Sequence, residues 1–416
     1  MHPISAGNGT TKRRNDRVKI LFCNYEYPPL GGGGGVAMAA LAKELAQRHD
    51  VTVLTSRALD LPSESIEDGV RILRVPVLFR RQLAVANFPS MLAYVPMAAL
   101  RGMSLKRQRY DIVNTHFVVP TGPLGQFLAS YYGVPNVLSV HGGDLFDPSK
   151  RSSPHRHAWL RGPIRRMLTA ATAVVGQSRN TLEHVKRIYG VTRSTELIPL
   201  GITRPPSLER AAREDFGLPI DAFVLVTVGR LVARKSTSQL VRALRASNRT
   251  NTHLLVVGDG PDAAAVQMAA AQAGVSDRVH LLGHVSDEQK YRALSVADAF
   301  VSTSQHEGFG LVFLEAMAFG LPIICYDHGG QTDFLSTGRT GHLIRLNDLD
   351  AFTHAICDLH DHRQATLDIG RHNRQLVEDY FIDHCARRYE KLFDAACAGR
   401  LDQTGTSATS MKPESH

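Results

Sequence analysis

Two carboxylates, Glu307 and Glu315, stand eight residues apart in the stretch EGFGLVFLEAMAFGLPI. Between them Gly308, Phe309 and Gly310 form a small, pliant run, and Leu311 opens an apolar segment. Helical signs begin near Leu311 and stop at Gly320-Leu321-Pro322, so Glu307 is expected in a loop and Glu315 about a turn inside a helix. The backbone N–H groups of Gly308, Phe309, Gly310 and Leu311 then surround a helix start, where the macrodipole favours an anion or a hydroxyl-rich ligand. Two acids and several donors at one helix end suit a sugar nucleotide. Two cations, Arg230 and Lys235, follow Gly229 at the end of an apolar run. A guanidinium fork and an ammonium point charge so placed suit a diphosphate. His141 leads the turn His141-Gly142-Gly143-Asp144 at the end of another apolar run, where ligands of α/β sheets collect.

The elements that must hold these groups read as alternating strands and helices. Residues 18–24 form a buried strand, followed by a Gly-rich turn, an amphipathic helix ending near His49 and a strand at 51–56. That order opens a doubly wound α/β domain. The turn carries five glycines, Gly31 to Gly35, which let backbone approach a ligand closely. No G-x-G-x-x-G with a following ribose-binding acid is present, so a dinucleotide site is not implied. Further strands are expected at 70–77, 111–117, 134–144, 173–178 and 195–202. A polar stretch from Arg204 then leads to a second α/β set. Its strands end at Val228, before Gly258, near Gly283 and before Glu307, with a last strand over 323–330, and helices follow at 348–360 and 371–398.

The wording around Glu307 and Glu315 resembles the E-x7-E signature of the retaining glycosyltransferases of family 4. GRLVARKS (229–236) resembles that family's G-R-L-x-x-x-K-G, with Ser236 in place of the last glycine. VGDGP (257–261) resembles its V-G-x-G-P turn, HGGD its H-G-x-D element, and the first Gly loop its PP-x-x-GG type, with Gly34 and Gly35 aligning best. Residues 198–203 depart from the family's I-P-N-G-x-D, since Leu200 and Thr203 stand where Asn and Asp are usual, and no function is carried to them. The resemblance spans roughly residues 18–397. It implies the GT-B fold: two Rossmann-like doubly wound α/β domains facing across a cleft. The expected divisions are a disordered leader over 1–17, an acceptor-side domain over 18–205 and a nucleotide-sugar domain over 206–380. A helix over 381–398 crosses back, and a disordered tail follows over 399–416.

The implied reaction moves a hexose-type sugar from a nucleoside diphosphate to a hydroxyl, with retention. Arg230 and Lys235 neutralise the leaving diphosphate, and His141 lies beside the transferring bond. Glu307 and the N–H groups of Phe309, Gly310 and Leu311 hold sugar hydroxyls, while Glu315 accepts the ribose hydroxyls. Gly34, Gly35, Gly229, Gly258, Gly308 and Gly310 let backbone close on the donor. Attack is from the front face, with the leaving phosphate taking the acceptor proton, so Glu307 is not read as a nucleophile. No D-x-D element is present, and neither a metal nor a cofactor is expected beyond the donor substrate. A nucleotide-sugar epimerase of the same fold, a transferase acting on a soluble small acceptor and a two-domain binding protein are the competing readings.

Composition fits this frame. At 416 residues the chain suits two domains, and an apolar content of 43% is ordinary for a globular protein. The five cysteines form no C-x-x-C pair, which fits a reducing cytosol. Net charge is +9, unevenly placed. Through residue 213 there are 29 Lys+Arg against 14 Asp+Glu, giving +15, and the remainder has 19 against 25, giving −6. A basic first half faces an anionic partner, but no nucleic-acid motif accompanies it. Residues 79–110 place an apolar segment, read as a short helix pair, between Arg80, Arg81, Arg101, Lys106, Arg107 and Arg109, and residues 150–166 add six more cations. These two segments are the expected contact with an anionic membrane surface. The expected location is cytoplasmic, peripheral on the inner face, with a lipid-linked or surface-glycan acceptor.

Overall fold

A computed structural model describes residues 17–58, 61–77, 88–148, 153–206 and 211–401. The expected leader and tail therefore fall almost wholly outside the described residues, as do 79–87 and 150–152 of the two basic segments. The first sheet starts with β1 (Lys19–Cys23), α1 (Gly33–Ala46) and β2 (Asp50–Arg57). The run KILFC is buried at every position after Lys19, as a central strand covered on both faces requires. β3 (Glu64–Glu67) and β4 (Val70–Pro76) form a hairpin through Asp68 and Gly69, both at positive φ, as a type I′ turn demands. α2 (Phe88–Ser104) runs as one helix through Pro96, so the expected helix pair is corrected to a single helix over its described part.

The chain continues through β5 (Ile112–His116), α3 (Gly122–Tyr132), β6 (Asn136–Val140), α4 (Ala158–Ala170), β7 (Ala173–Gly176), α5 (Arg179–Tyr189) and β8 (Glu196–Leu197). The sheet order is β3-β4-β2-β1-β5-β6-β7-β8, and only β3 pairs antiparallel. β8 is two residues long where a strand over 195–202 was expected. Pro199 has no N–H for the ladder, and the chain then turns to pair elsewhere. Ile202 donates to the Tyr380 carbonyl at 3.0 Å and accepts from Ile382 at 2.8 Å.

The second sheet is wholly parallel, in the order β11-β10-β9-β12-β13-β14. Its elements are β9 (Phe223–Val228), α6 (Ser238–Ala246), β10 (Thr252–Val257), α7 (Ala263–Gln272), β11 (Val279–Gly283), α8 (Asp287–Val296), β12 (Ala299–Ser302), α9 (Leu311–Ala318), β13 (Ile323–Tyr326) and β14 (Gly341–Ile344). α10 (Leu349–Asp361) and α11 (Arg363–Leu376) follow. α12 (Ile382–Cys397) then leaves this unit and packs on α1. Its Ala386, Tyr389 and Phe393 are buried in one core with Leu41 and Leu45. Tyr389 and Ser139 share a hydrogen bond of 2.9 Å, and Glu390 accepts from Arg48 Nε at 2.7 Å. Burying each large apolar side chain there stabilises the docked helix by about 1.5–3 kcal/mol. Among the described residues, no helix is long and apolar enough to cross a membrane.

Candidate active site at the domain junction

Successive connections leave in opposite directions between β1 and β5 in the first sheet, and between β9 and β12 in the second. At such switch points the loops beyond the strand ends diverge and leave a crevice for a ligand. Gly34 and Gly35 follow β1, and His141 follows β6, beside β5. Gly229, Arg230 and Lys235 follow β9, Gly258 follows β10, and Glu307 to Gly310 follow β12.

In the first domain His141 is buried and stacks on Phe117, with ring centroids 4.2 Å apart. Its Nε2 lies 2.9 Å from His116 Nδ1. Asp144 accepts the His141 N–H at 2.9 Å and the Val118 N–H at 2.7 Å, which pins the turn that carries the ring. Burial lowers the His141 pKa to about 4, so the ring is neutral near pH 7. Its Nδ1 is buried without a partner. A Cβ on Gly34 would lie 3.6 Å from that nitrogen and 2.5 Å from Phe117 Cζ. Only glycine lets the start of α1 sit this close to the stacked rings.

In the second domain Glu307 is 8% exposed. Lys235 Nζ donates to one carboxylate oxygen, and Arg234 Nη1 to the other at 3.3 Å. Arg234 also reaches the His306 carbonyl at 2.7 Å. Burial alone would raise the Glu307 pKa, but the two cations outweigh it and hold the carboxyl at about 2. A short 3-10 turn over Ala233–Lys235 aims both cations, and it closes on Ser236 at φ +47. That explains the glycine usual in the family pattern: the position takes a left-handed conformation that glycine adopts freely and that Ser236 holds at a cost. Gly258 sits so close to Gly229 that a Cβ would collide with its carbonyl.

α9 starts at Leu311, after Gly310 at φ +93. Phe309 is buried against Phe334. The N–H groups of Phe309, Gly310 and Leu311 make no backbone hydrogen bond among the described residues. Glu315, one turn further, accepts from Lys290 Nζ of α8 at 2.8 Å. Burial pushes the Glu315 carboxyl up, against the pull of Lys290.

The two halves meet backbone to backbone. A Cβ on Gly308 would lie 2.9 Å from the His141 carbonyl. Gln177 donates to that carbonyl, and Ser178 Oγ to the Gly308 carbonyl at 3.2 Å. Arg179 N–H donates to Asp333 at 2.6 Å. The imidazole and the ion-paired acid thus face one junction, one from each sheet.

Residues 31–204 match the family model Glycosyltransferase Family 4, and residues 209–376 match Glycosyl transferases group 1. This chain is a family 4-type glycosyltransferase of the GT-B fold. The glycosyltransferase is 26% identical over 400 residues to the putative teichuronic acid biosynthesis glycosyltransferase TuaC of Bacillus subtilis, covering 87% of this chain and 98% of that one. It is 28% identical to the GDP-mannose-dependent alpha-(1-6)-phosphatidylinositol monomannoside mannosyltransferase of Mycolicibacterium smegmatis, covering 85% and 93%. Its fold matches Anabaena HepE, solved with UDP and glucose, at a TM-score of 0.72 and 19% identity, over 91% of this chain and 100% of that one.

Within this glycosyltransferase, the structure joins Lys235 to Glu307 and brings Gly34, His141 and Gly308 together. It does not put Arg230 in that cluster. Arg230 is exposed and forms no ion pair among the described residues, and Arg234 takes the second place on Glu307. The pairing at the acid is thus Arg234 with Lys235, beside the expected roles of Arg230 and Lys235 on the diphosphate. The turn geometry is the reason, since 234 and 235 share one 3-10 turn. Lys290 and His116 were also missed. Their partners lie 25 residues away in sequence, and no local spacing marks them.

Proposed function

We propose that the glycosyltransferase moves a hexose-type sugar from a nucleoside-diphosphate sugar to a hydroxyl acceptor, with retention at the anomeric carbon. The observation that carries this reading is the buried Glu307 carboxylate, kept ionised by Lys235 and Arg234 across the junction from the neutral His141 imidazole. The hard step is departure of an anionic diphosphate from an oxocarbenium-like centre, so preplaced cations and dipoles in a closed site lower the barrier. When donor enters, Lys235 shares its charge between Glu307 and the diphosphate, and exposed Arg230 folds over the phosphates. Glu307 and the unbonded N–H groups at the start of α9 hold sugar hydroxyls. Glu315, steadied by Lys290, accepts the ribose hydroxyls. The neutral His141, with Nδ1 still lacking a partner, hydrogen-bonds the sugar beside the bond in transfer. The leaving phosphate oxygen takes the acceptor proton on the same face. In this reading side chains supply the charge on the diphosphate, and no step needs a metal.

The acceptor is a lipid-linked or surface-glycan intermediate at the cytoplasmic face of a membrane. Support comes from the Mycolicibacterium relative, whose name gives a nucleotide sugar as donor and a phosphatidylinositol mannoside as acceptor, and from HepE, which holds UDP and glucose on the same fold. The test is a donor panel read by thermal shift, because a bound nucleotide sugar raises stability by mass action. It is followed by incubation of the stabilising donor, radiolabelled, with lipid-linked acceptors, and by assignment of the product anomer. One donor should raise Tm and give product of the same anomeric configuration. An inverted product, or a Tm unmoved by every nucleotide sugar, would refute the proposal.

A further inference from the structure

One face of the first domain is built by α2, α3 and α4, on the opposite side of the sheet from α1 and α12. Residues 88–110, 121–135 and 153–170, which form this layer, contain no Asp or Glu. Large apolar side chains stand out from it: Leu100 at 61% exposure, Phe127 at 44% and Trp159 at 66%, with Met97 and Tyr131 also exposed. Most of the large exposed apolar groups of the described first domain thus crowd onto three adjacent helices. Such a patch marks an interaction surface, and its own charged side chains are all basic, with Arg101 paired to Glu64 of β3 at 3.3 Å.

The layer also holds a cavity of about 600 Å³. Its rim is a 3-10 turn over Lys106–Gln108, closed by Arg109 at φ +54. The turn brings Lys106, Arg107 and Arg109 to one mouth, and none of them forms an ion pair among the described residues. Arg109 holds a left-handed conformation that is strained for a residue with a side chain. Backbone strain of this sort persists where surrounding structure imposes it. The walls are Tyr110 and Tyr132, fixed by hydrogen bonds to Gln108 Oε1 at 2.7 Å and to the Gly102 carbonyl at 2.5 Å. The pocket opens where β5 and β6 begin, at the end of the sheet away from the switch-point loops. It is therefore separate from the site at the junction.

We propose that this pocket binds the phosphate of an anionic lipid headgroup, while Leu100, Phe127 and Tyr131 rest on the bilayer surface beside it. The inference rests on the reading of a membrane-borne acceptor, and adds the place and chemistry of attachment. The three cations match a phosphate and the tyrosines line a slot for the headgroup stem. The apolar groups beside them match the boundary between headgroup and acyl chain. α3, through Phe127 and Tyr131, belongs to this surface although its own sequence carries no cation.

The test is co-sedimentation of the full chain with vesicles of phosphatidylcholine alone or mixed with phosphatidylglycerol. Wild-type protein should pellet with the mixed vesicles and stay in solution with the neutral ones. The variant K106Q/R107Q/R109Q should bind mixed vesicles on the order of 100-fold more weakly, and L100S/F127S should also lose binding. The single variant R107E provides the same reading if the triple variant does not fold. Donor-induced thermal shift and donor hydrolysis should be unchanged in each variant, which separates loss of attachment from loss of the transfer site. Equal pelleting with both vesicles, full binding by the triple variant or R107E, or release by inorganic phosphate at the concentration of vesicle phosphate would overturn the proposal.

Discussion

Glu307 is a buried acid whose charge depends on two neighbours. Its folded pKa of about 2 lies below its ordinary value of 4.5, so the ion pair stabilises the protein above that ordinary value and is lost as pH falls through 2. Lys235→Ala removes the stronger partner, so the carboxyl should titrate higher, and the acid limb of stability between pH 5 and 2 should move up. Denaturant titrations across that range check this, and an unmoved limb would contradict the pairing. The same substitution, and Glu315→Ala, should each lower turnover on the order of 100-fold or more, the scale of losing a preorganised charge or donor. Near-normal rates in both would remove the basis for the assigned roles. At the next position the strain is local. Ser236→Gly should raise stability by about 1 kcal/mol, because glycine enters the left-handed region without a Cβ penalty; an equal or lower Tm would show that the Ser236 Oγ bond to the Ala233 carbonyl matters more.

At the scale of elements, glycines set how closely loops and helix starts approach. Gly34 lies over Phe117, and a methyl group there must push the Phe117 ring off His141. Gly34→Ala should leave global stability nearly unchanged, since Phe117 can rotate, yet lower turnover at least tenfold through the displaced imidazole. Steady-state kinetics beside thermal unfolding separate the two effects, and unchanged turnover would show that the ring stack does not serve the reaction. Gly330 has less room. A Cβ there collides with the Gly308 carbonyl, which is fixed backbone, so the loop that carries Glu307 cannot yield without moving its acid.

Across the whole molecule, two chain crossings tie the domains. Gly201 and Ile202 leave the first domain, Phe381 and Ile382 return, and the strands of the crossing bond to each other. A Cβ on Gly201 would lie 2.7 Å from Ile382 Cα, so the crossing needs glycine there. Buried histidines give the assembled molecule an acid-sensitive window. His116 and His141 in the first domain, and His184 and His306 near the junction, all have lowered pKa values through burial, His141 and His184 to about 4. The unfolded chain binds these protons from pH 6.5 downward while the folded chain does not, so stability falls as pH drops from 6.5 to 4. Asp144 acts in the opposite sense. Burial raises it to about 6, so the folded state takes up its proton first and offsets one histidine. The net expectation is a loss of stability on acidification through that window, measurable by urea titration, and a flat profile from pH 7 to 4 would contradict it.

Much of the architecture was legible because it is local. Apolar runs bounded by glycine and proline marked the strands, and the stop at Gly320-Leu321-Pro322 marked the end of α9 to within two residues. Helical signs between Leu311 and Gly320-Leu321-Pro322 placed Glu307 in a loop and Glu315 in the helix. The Asp68-Gly69 hairpin carried its own signal and was overlooked. What the sequence could not determine was which groups meet across the fold. Arg234 rather than Arg230 reaches Glu307 because a 3-10 turn, and not the count of residues, sets the aim of those side chains. Lys290 meets Glu315, and His116 meets His141, only because neighbouring strands and helices bring distant segments together. The length of β8 was decided the same way, since Ile202 finds a better partner in the returning chain than in the sheet. Local periodicity determines elements because it depends on neighbours in sequence, while partners depend on packing, which only the folded chain defines.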